Sequence, residues 1–348
     1  MTDDSDLTDV PSVPAALGLS PQNVAAVLET TGLAPSVHNT QPWAFRVMPE
    51  VIELHADPAR RLPVADVDDV ELRIACGAAL LNLRLALEAH GVRPEVARFP
   101  EHNRHGLIAR IRHGGPAVAT PQVRDLLAAA ARRRTNRHPF SGTPVAVADQ
   151  QQLCRAAAVD GATLHLVHDP AQRSELAALA RRAHQVQMAD PAFRTELAAW
   201  TGTTADRRDG VPVFAGARPA AQDRWVLRDF TGGAGPEQMP GKDVEDEPLI
   251  AVLTAPLAGP DGDVQAGEAL QRVLLAATID GLAVSYLSQL IEVPDARAAV
   301  HHLLGTLRPP HAVLRIGHGW PTPRVPRRAV SDMLLDPPPR RTGPKPDP

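Results

Sequence analysis

Ala34-Pro35-Ser36-Val37-His38-Asn39-Thr40-Gln41-Pro42-Trp43-Ala44-Phe45 interrupts the pattern on either side of it. Upstream, Ser20-Pro21 reads as a helix start, Ser at the N-cap and Pro at the first helical position, with the helix stopping near Gly32. Downstream, residues 44–48 and 51–55 read as a strand pair around Pro49. The segment between them is a non-regular loop stiffened by Pro35 and Pro42. Ser36, Asn39, Thr40 and Gln41 offer side-chain hydrogen-bonding groups among exposed backbone amides. Such a loop can match the rim of a flat heteroaromatic ligand, whose carbonyls and ring nitrogens need donors and acceptors. It can equally be a capped turn with Trp43 in the core.

Working outward, residues 68–90 read as a long helix closed by Gly91 in the left-handed region. Strands at 92–99 and 107–112 follow, then a helix opened by Pro121 that ends in Arg132-Arg133-Arg134. The second half repeats this rhythm: helix 149–158, strand 163–168, helix 169–188 and a short helix from Pro191. Strand 249–254, helix 263–280, strand 282–287, helix 295–304 and strand 311–316 complete it. The stretches from Gly77 to Gly91 and from Gly267 to Gly281 align without a gap, with Gly, Ala, Leu and the closing Gly in register. Ala/Leu-rich helices resemble one another by composition, but glycines matched at both ends favour an internal duplication. Two copies at a long period fit a fused pair, not a solenoid.

The 348 residues allow about two domains of roughly 150 residues each. A net charge of −4 gives no basic field for nucleic acid or anionic lipid. The acidic N-terminus has no apolar core for a signal peptide, and the most apolar helix, residues 72–89, carries Arg73, Arg84 and Glu88, so no membrane span is expected. Cys76 and Cys154 read as buried free thiols of a reducing compartment, and the expected location is the cytoplasm. Residues 336–348 read as a disordered tail.

Two arginine clusters stand out, since Lys242 and Lys345 are the only lysines. Arg133-Arg134-Thr135-Asn136-Arg137 combines forked cations with a hydroxyl, suited to a phosphate monoester. Arginines at a helix C-terminus also complement its dipole, and Arg132 is read that way. Pro323-Arg324-Val325-Pro326-Arg327-Arg328 follows the last strand. There Arg327 can reach a phosphate, while Arg324 and Arg328 read as solvated surface residues. Residues 201–247, rich in Gly, Pro and Asp, read as a lid. His102 and His105 lack the further ligands of a zinc site, and no Rossmann glycine motif follows a strand.

At these places the chain resembles the nitroreductase superfamily, specifically its fused-duplicate branch, the Acg family. Residues 34–45 match the flavin-contacting loop Ala-Pro-Ser-x-x-Asn-x-Gln-Pro-Trp-x-Phe at every fixed position. Residues 133–137 are similar to the Arg-Arg-Ser-x-Arg phosphate motif, with Thr135 keeping the hydroxyl, and Arg327 falls where the family has a C-terminal phosphate arginine. Residues 281–290 are similar to the segment passing beside the flavin, where ordinary members have a glycine near Gln289. The resemblance covers about residues 20–335. It implies an α+β fold of antiparallel-dominated sheets flanked by helices, with two related halves forming an intramolecular pseudo-dimer. The halves are drawn at 1–120, carrying the flavin-ring loop, and 121–335, carrying the phosphate arginines and the lid.

It further implies FMN as cofactor, contacted by Pro35, Ser36, Asn39, Gln41, Arg133, Arg134, Thr135, Arg137, Ser288, Gln289 and Arg327. In ordinary members each FMN lies between two subunits. Here each motif occurs once, which implies one FMN per chain. The expected activity is FMN-dependent NAD(P)H oxidoreduction of nitroaromatic or quinone-like acceptors, with no side-chain nucleophile and no metal. The alternative is a protein that sequesters FMN under its lid. The expected partners are a small-molecule acceptor and NAD(P)H, and the expected unit is a pseudo-dimeric monomer, a homodimer being left open.

Overall fold

The computed structural model describes residues 13–101, 106–216, 218–219, 223–235 and 248–336. The Ser20 hydroxyl accepts from the Asn23 amide and starts helix α1, Pro21–Thr31. Strands β1, Trp43–Met48, and β2, Val51–Ala56, precede the long helix α2, Val70–Ala89. Strands β3, Val92–Arg98, and β4, Leu107–Pro116, lead to α3, Pro121–Arg132. Next come α4, Val147–Val159, β5, Thr163–Val167, α5, Pro170–Ala189, and α6, Pro191–Trp200. Two short strands, β6, Thr201–Thr203, and β7, Val211–Pro212, open the stretch expected to lack regular structure. The chain then forms β8, Leu249–Thr254, α7, Gly259–Ile279, β9, Ala283–Tyr286, α8, Gln289–Glu292, α9, Pro294–Leu304, and β10, Pro310–Gly317.

The strands form two four-stranded antiparallel sheets, in the orders β1-β2-β4-β3 and β5-β8-β10-β9. Taken by position in the chain, the two orders are the same: first, second, fourth, third. The long helix of each set, α2 or α7, follows the second strand in both. Helices α1 and α2 cover one face of the first sheet; its opposite face carries Glu53, paired with Arg46, Arg110 and His55. The second sheet is covered on both faces, by α4 and α7 on one side and by α5, α8 and α9 on the other. Every residue of β8 and β10 is accordingly buried, and their sequences run apolar without alternation except at Thr254, His311 and Arg315.

Helices α2 and α7 pack against each other at the centre, and glycine permits the approach. A Cβ on Gly77 would lie 2.1 Å from the Val264 carbonyl oxygen, and one on Gly267 would lie 2.1 Å from that of Ile74. The contact is reciprocal, the pattern of a two-fold interface. The aligned Gly77 and Gly267 therefore meet each other. Asn82 accepts from Gln271 at 2.8 Å along the same seam.

The two sets exchange segments. Met333 is buried in the first core, where the Trp43 indole donates to its Sδ at 3.3 Å, and Leu334 bridges Phe45. Thr135 bridges Val284 of the second sheet. Helix α3 packs on both α2 and α7 through Leu126, Ala129, Leu81 and Leu275. Among the described residues no helix is long and apolar enough to cross a membrane. Both cysteines are free: Cys76 is buried, but Cys154 is only half-buried, against the expectation for it, because its face of α4 is not fully covered. His102 and His105, residues 217, 220–222 and 236–247 of the expected lid, and residues 337–348 of the expected tail lie outside the described residues.

Candidate functional site

The loop between α1 and β1 is held in costly backbone. His38, Asn39 and Gln41 have φ of 49°, 58° and 52°, left-handed values that non-glycine residues seldom adopt. The fold compensates with hydrogen bonds. The Ser36 hydroxyl accepts from the Gln41 amide at 2.9 Å. Gln41 donates to the carbonyls of Asn39 and Arg208 and accepts from the Arg328 amide. Arg328 donates to the Gln41 and Trp43 carbonyls at 3.0 Å each, and its side chain is only 6% exposed. It is thus no solvated surface residue: the turn strands two carbonyls, and Arg328 is their partner. Gln41, expected beside a ligand, does not line the cleft.

That cleft opens beside the loop and is lined by Pro35, Ser36 and Asn39 from the loop, Arg133, Arg134, Thr135 and Arg137 from the segment after α3, and Arg324 and Arg327 from the C-terminal strap. Segments far apart in the chain therefore converge there. Arg324 is exposed, as read from the sequence, and it also lines the cleft, on the strap that follows β10. Arg327 donates to Asn39 Oδ1 at 2.5 Å, and Asn39 in turn donates to the carbonyls of Gly210 and Pro326. Asn39 is therefore the post that holds Arg327.

Charge in the cleft is one-sided. Among the described residues, no carboxylate lies within ion-pair distance of Arg133, Arg134, Arg137, Arg324 or Arg327. The Nε atoms of Arg133 and Arg327 are buried without any partner. Burial, then repulsion from neighbouring arginines, lowers Arg137 to about 10 and Arg327 to about 9. Burial lowers Arg133 and, with Arg324 nearby, Arg134. Unpaired buried cations are expensive, so such a cluster points to an anionic ligand.

Beyond Ser36, Thr135 and Arg137 the cleft continues into a second chamber lined by His38, Arg228, Phe230, Ser285, Tyr286 and Ser288. Gln289, buried at the start of α8, lines a third space that shares Arg228, Phe230 and Ser288 with it. Arg137 lies over the Phe230 ring at 4.9 Å, and His38 meets the same ring at 6.0 Å. Arg228 pairs with Glu292 at 2.8 Å and donates to Ser288 and Gln187. Burial, then the charge of Arg228, holds His38 down at about 3, so its ring is neutral. Burial raises the Tyr286 phenol to about 12, and its hydroxyl has no partner.

Two relatives are similar over nearly the whole chain. A Mycobacterium tuberculosis protein provisionally named NAD(P)H nitroreductase Acg is 30% identical over 306 residues, covering 86% of this chain and 92% of its own. The chain belongs to the Acg family of nitroreductases. A second M. tuberculosis protein with a provisional nitroreductase name is 31% identical over 322 residues, 90% of this chain and 91% of its own. No family profile matches the chain. Among solved structures, a nitroreductase with bound FMN from Desulfitobacterium hafniense is 16% identical over 61% of this chain and 97% of its own, with a TM-score of 0.38. The NADPH:FMN oxidoreductase of Vibrio harveyi is 16% identical over 59% and 73%, with a TM-score of 0.34.

In this Acg-family chain, sequence reasoning missed His38, Arg228, Phe230 and Tyr286. His38 sits inside the loop motif at a position without a fixed residue, and its left-handed backbone has no sequence signature. Tyr286 is the one tyrosine of the chain, a signal that was available. Arg228 and Phe230 come from the aperiodic stretch, where no local pattern marks them.

Proposed function

We propose that the cleft holds one FMN and that the protein is an FMN-dependent NAD(P)H oxidoreductase of nitroreductase type, reducing nitroaromatic or quinone-like acceptors. The observation that carries this reading is the trio Arg133, Arg137 and Arg327, buried or half-buried and without a carboxylate among the described residues. An FMN phosphate is close to dianionic, and it would supply the partners that the orphaned Nε atoms of Arg133 and Arg327 lack. Ser36 and Thr135 stand between this clamp and the second chamber, where a ribityl chain offers hydroxyls. Pro35, Ser288 and Gln289 would border the flavin, with Asn39 and Gln41 acting one step back by fixing Arg327 and the loop. FMN held there would supply the hydride and electron-transfer chemistry, and the chain's own residues would orient it. His38 and Tyr286 would meet the ring end in neutral form, so neither adds charge there.

The same reading includes a fused pair of related halves, divided near residue 121. Its support is the shared strand order of the two sheets and the reciprocal Gly77–Gly267 contact. Residues 32–42 link α1 to β1, whereas only residues 160–162 link α4 to β5, so the second half has no counterpart of the strained loop. One site per chain follows. Purified protein should be yellow and release one FMN per chain on denaturation; a colourless protein that takes up no FMN, or two FMN per chain, sinks the reading.

A second reading, FMN sequestration with little turnover, is favoured by Phe230, which packs between Arg137 and His38 in the second chamber. Steady-state consumption of NAD(P)H with menadione or nitrofurazone separates the two. Sustained turnover supports the oxidoreductase, and its absence from FMN-loaded protein supports storage.

A further inference from the structure

Arg133, Arg137 and Arg327 already outweigh the charge of one phosphate monoester, and two more arginines face the same opening. Arg324 is exposed on the strap, and Arg134 stands at the rim close enough for each charge to act on the other. Arg134 directs its Nη1 to the Ala131 and Arg133 carbonyls at the end of α3. Its remaining N–H groups, and the whole Arg324 guanidinium, have no acceptor among the described residues. Structural arginines elsewhere in this chain come with carboxylates, as Arg84, Arg98 and Arg272 do. The same strap presents Trp320, 83% exposed, just before the cleft-lining Pro323. Its carbonyl is tied at 3.2 Å to Asn136 Nδ2, inside the arginine motif. An exposed indole on the strap that carries Arg324 offers a stacking surface.

We propose that Arg134 and Arg324 form a second phosphate subsite at the mouth of the cleft, outside the Arg133, Arg137 and Arg327 clamp, which takes a further phosphoryl group of an adenine dinucleotide whose base lies on Trp320. This rests on the FMN reading of the inner clamp. Two sources carry that chemistry. FAD would place its second phosphate there, and a nicotinamide dinucleotide would place its pyrophosphate or its 2′-phosphate. Arg134 then serves the outer group, which its partial exposure suits better than a dry clamp. Guanidinium forks bind phosphate bidentately, and an exposed pair still leaves the ligand free to exchange.

The test is calorimetric titration of the native chain and of Arg324→Glu, with Arg324→Lys as the conservative control. The probes are FMN and FAD on flavin-free protein, and NADP+ and NAD+ on FMN-loaded protein. Arg324→Glu should weaken at least one dinucleotide by about tenfold more than it weakens FMN, with Arg324→Lys recovering most of the loss. Loss confined to FAD names the flavin dinucleotide as the source. Loss for NADP+ but not NAD+ names the 2′-phosphate, and equal loss for both names the nicotinamide pyrophosphate. Trp320→Ala should weaken the same dinucleotide, and Trp320 fluorescence should fall as it binds. Native protein that binds no dinucleotide, a flat response of all dinucleotides, or an FMN loss as large as theirs overturns the subsite. Failure of native protein to take up FMN sinks the parent reading as well, whereas FMN uptake with flat dinucleotide curves sinks this inference alone.

Discussion

Arginine plays opposite parts in two regions of this molecule. Along the α2–α7 seam, Arg84 pairs with Glu268 at 2.5 Å, Arg98 with Glu268 at 3.0 Å and Asp261 at 2.8 Å, and Arg272 with Asp160 at 2.6 Å. In the cleft, Arg133, Arg137 and Arg327 are as deeply placed and have no carboxylate partner among the described residues. The seam is satisfied by the chain itself, so its arginines contribute to the fold. The cleft holds charge that no carboxylate among the described residues completes, at a cost that the rest of the fold offsets. Residue type therefore says little about role; the company of a carboxylate says much.

The heaviest blow to this comparison is Gly77→Val. A Cβ at Gly77 would collide with the Val264 carbonyl, and backbone cannot yield as a side-chain tip can. Overpacking of this kind costs on the order of 3 kcal/mol or more, read as a lowered urea midpoint. An unchanged midpoint would mean the seam is looser than its glycines indicate.

Next in size is Arg137→Ala. Loss of one charged hydrogen-bonding group should weaken FMN about ten- to a hundredfold while leaving riboflavin nearly unchanged. Because Arg137 is buried without a carboxylate, the flavin-free variant should be at least as stable as the native chain. Equal loss for both flavins in a fluorescence titration, or a marked drop in flavin-free stability, would place Arg137 with the seam arginines.

A smaller effect depends on pH. Burial, then Arg228, holds His38 at about 3 in the folded chain, against 6.5 when unfolded. The folded pKa is the lower one, so this contribution is complete above about pH 6.5 and is lost as pH falls toward 3. The slope approaches about 1.4 kcal/mol per pH unit. His38→Asn, which tolerates the left-handed backbone, should flatten the fall in urea midpoint between neutral pH and pH 5. Glu292, held low by Arg228 against its burial, adds a loss in acid that the variant keeps. Glu71, raised by burial and by Glu292, works in the other direction. An acid limb as steep as the native one would show that His38 is not neutral in the fold.

The smallest effect completes the contrast. Glu268→Gln removes the partner shared by Arg84 and Arg98, both partly exposed, and should cost about 1 kcal/mol. FMN affinity should stay as it is; a change would show that seam and cleft are coupled.

Much of this was legible along the chain because it rests on local chemistry. Ser20-Pro21 starts α1 as its capping pattern requires. The apolar runs 249–254 and 311–316 fall within β8 and β10, and the paired glycines mark the helices that meet. The loop motif and the arginine motif, both marked in the sequence, line one cleft. Legibility failed where a residue's role depends on what lies across a gap. Arg328 reads as surface until the stranded carbonyls of Gln41 and Trp43 are seen. That Asn39 braces Arg327 and Gln41 braces the loop is likewise visible only across the fold. Short strands β6 and β7 carry too few residues for periodicity to register.

The sequence by itself determined the fold class, the family and the places where binding groups concentrate, because capping, hydrophobic period and motif spacing are properties of neighbouring residues. Only the tertiary structure decided which arginines have carboxylates and which do not, and that Phe230 and Arg228 reach the second chamber. Charge compensation and burial are sums over everything that surrounds a side chain, and in a folded chain most of those neighbours are far away in sequence.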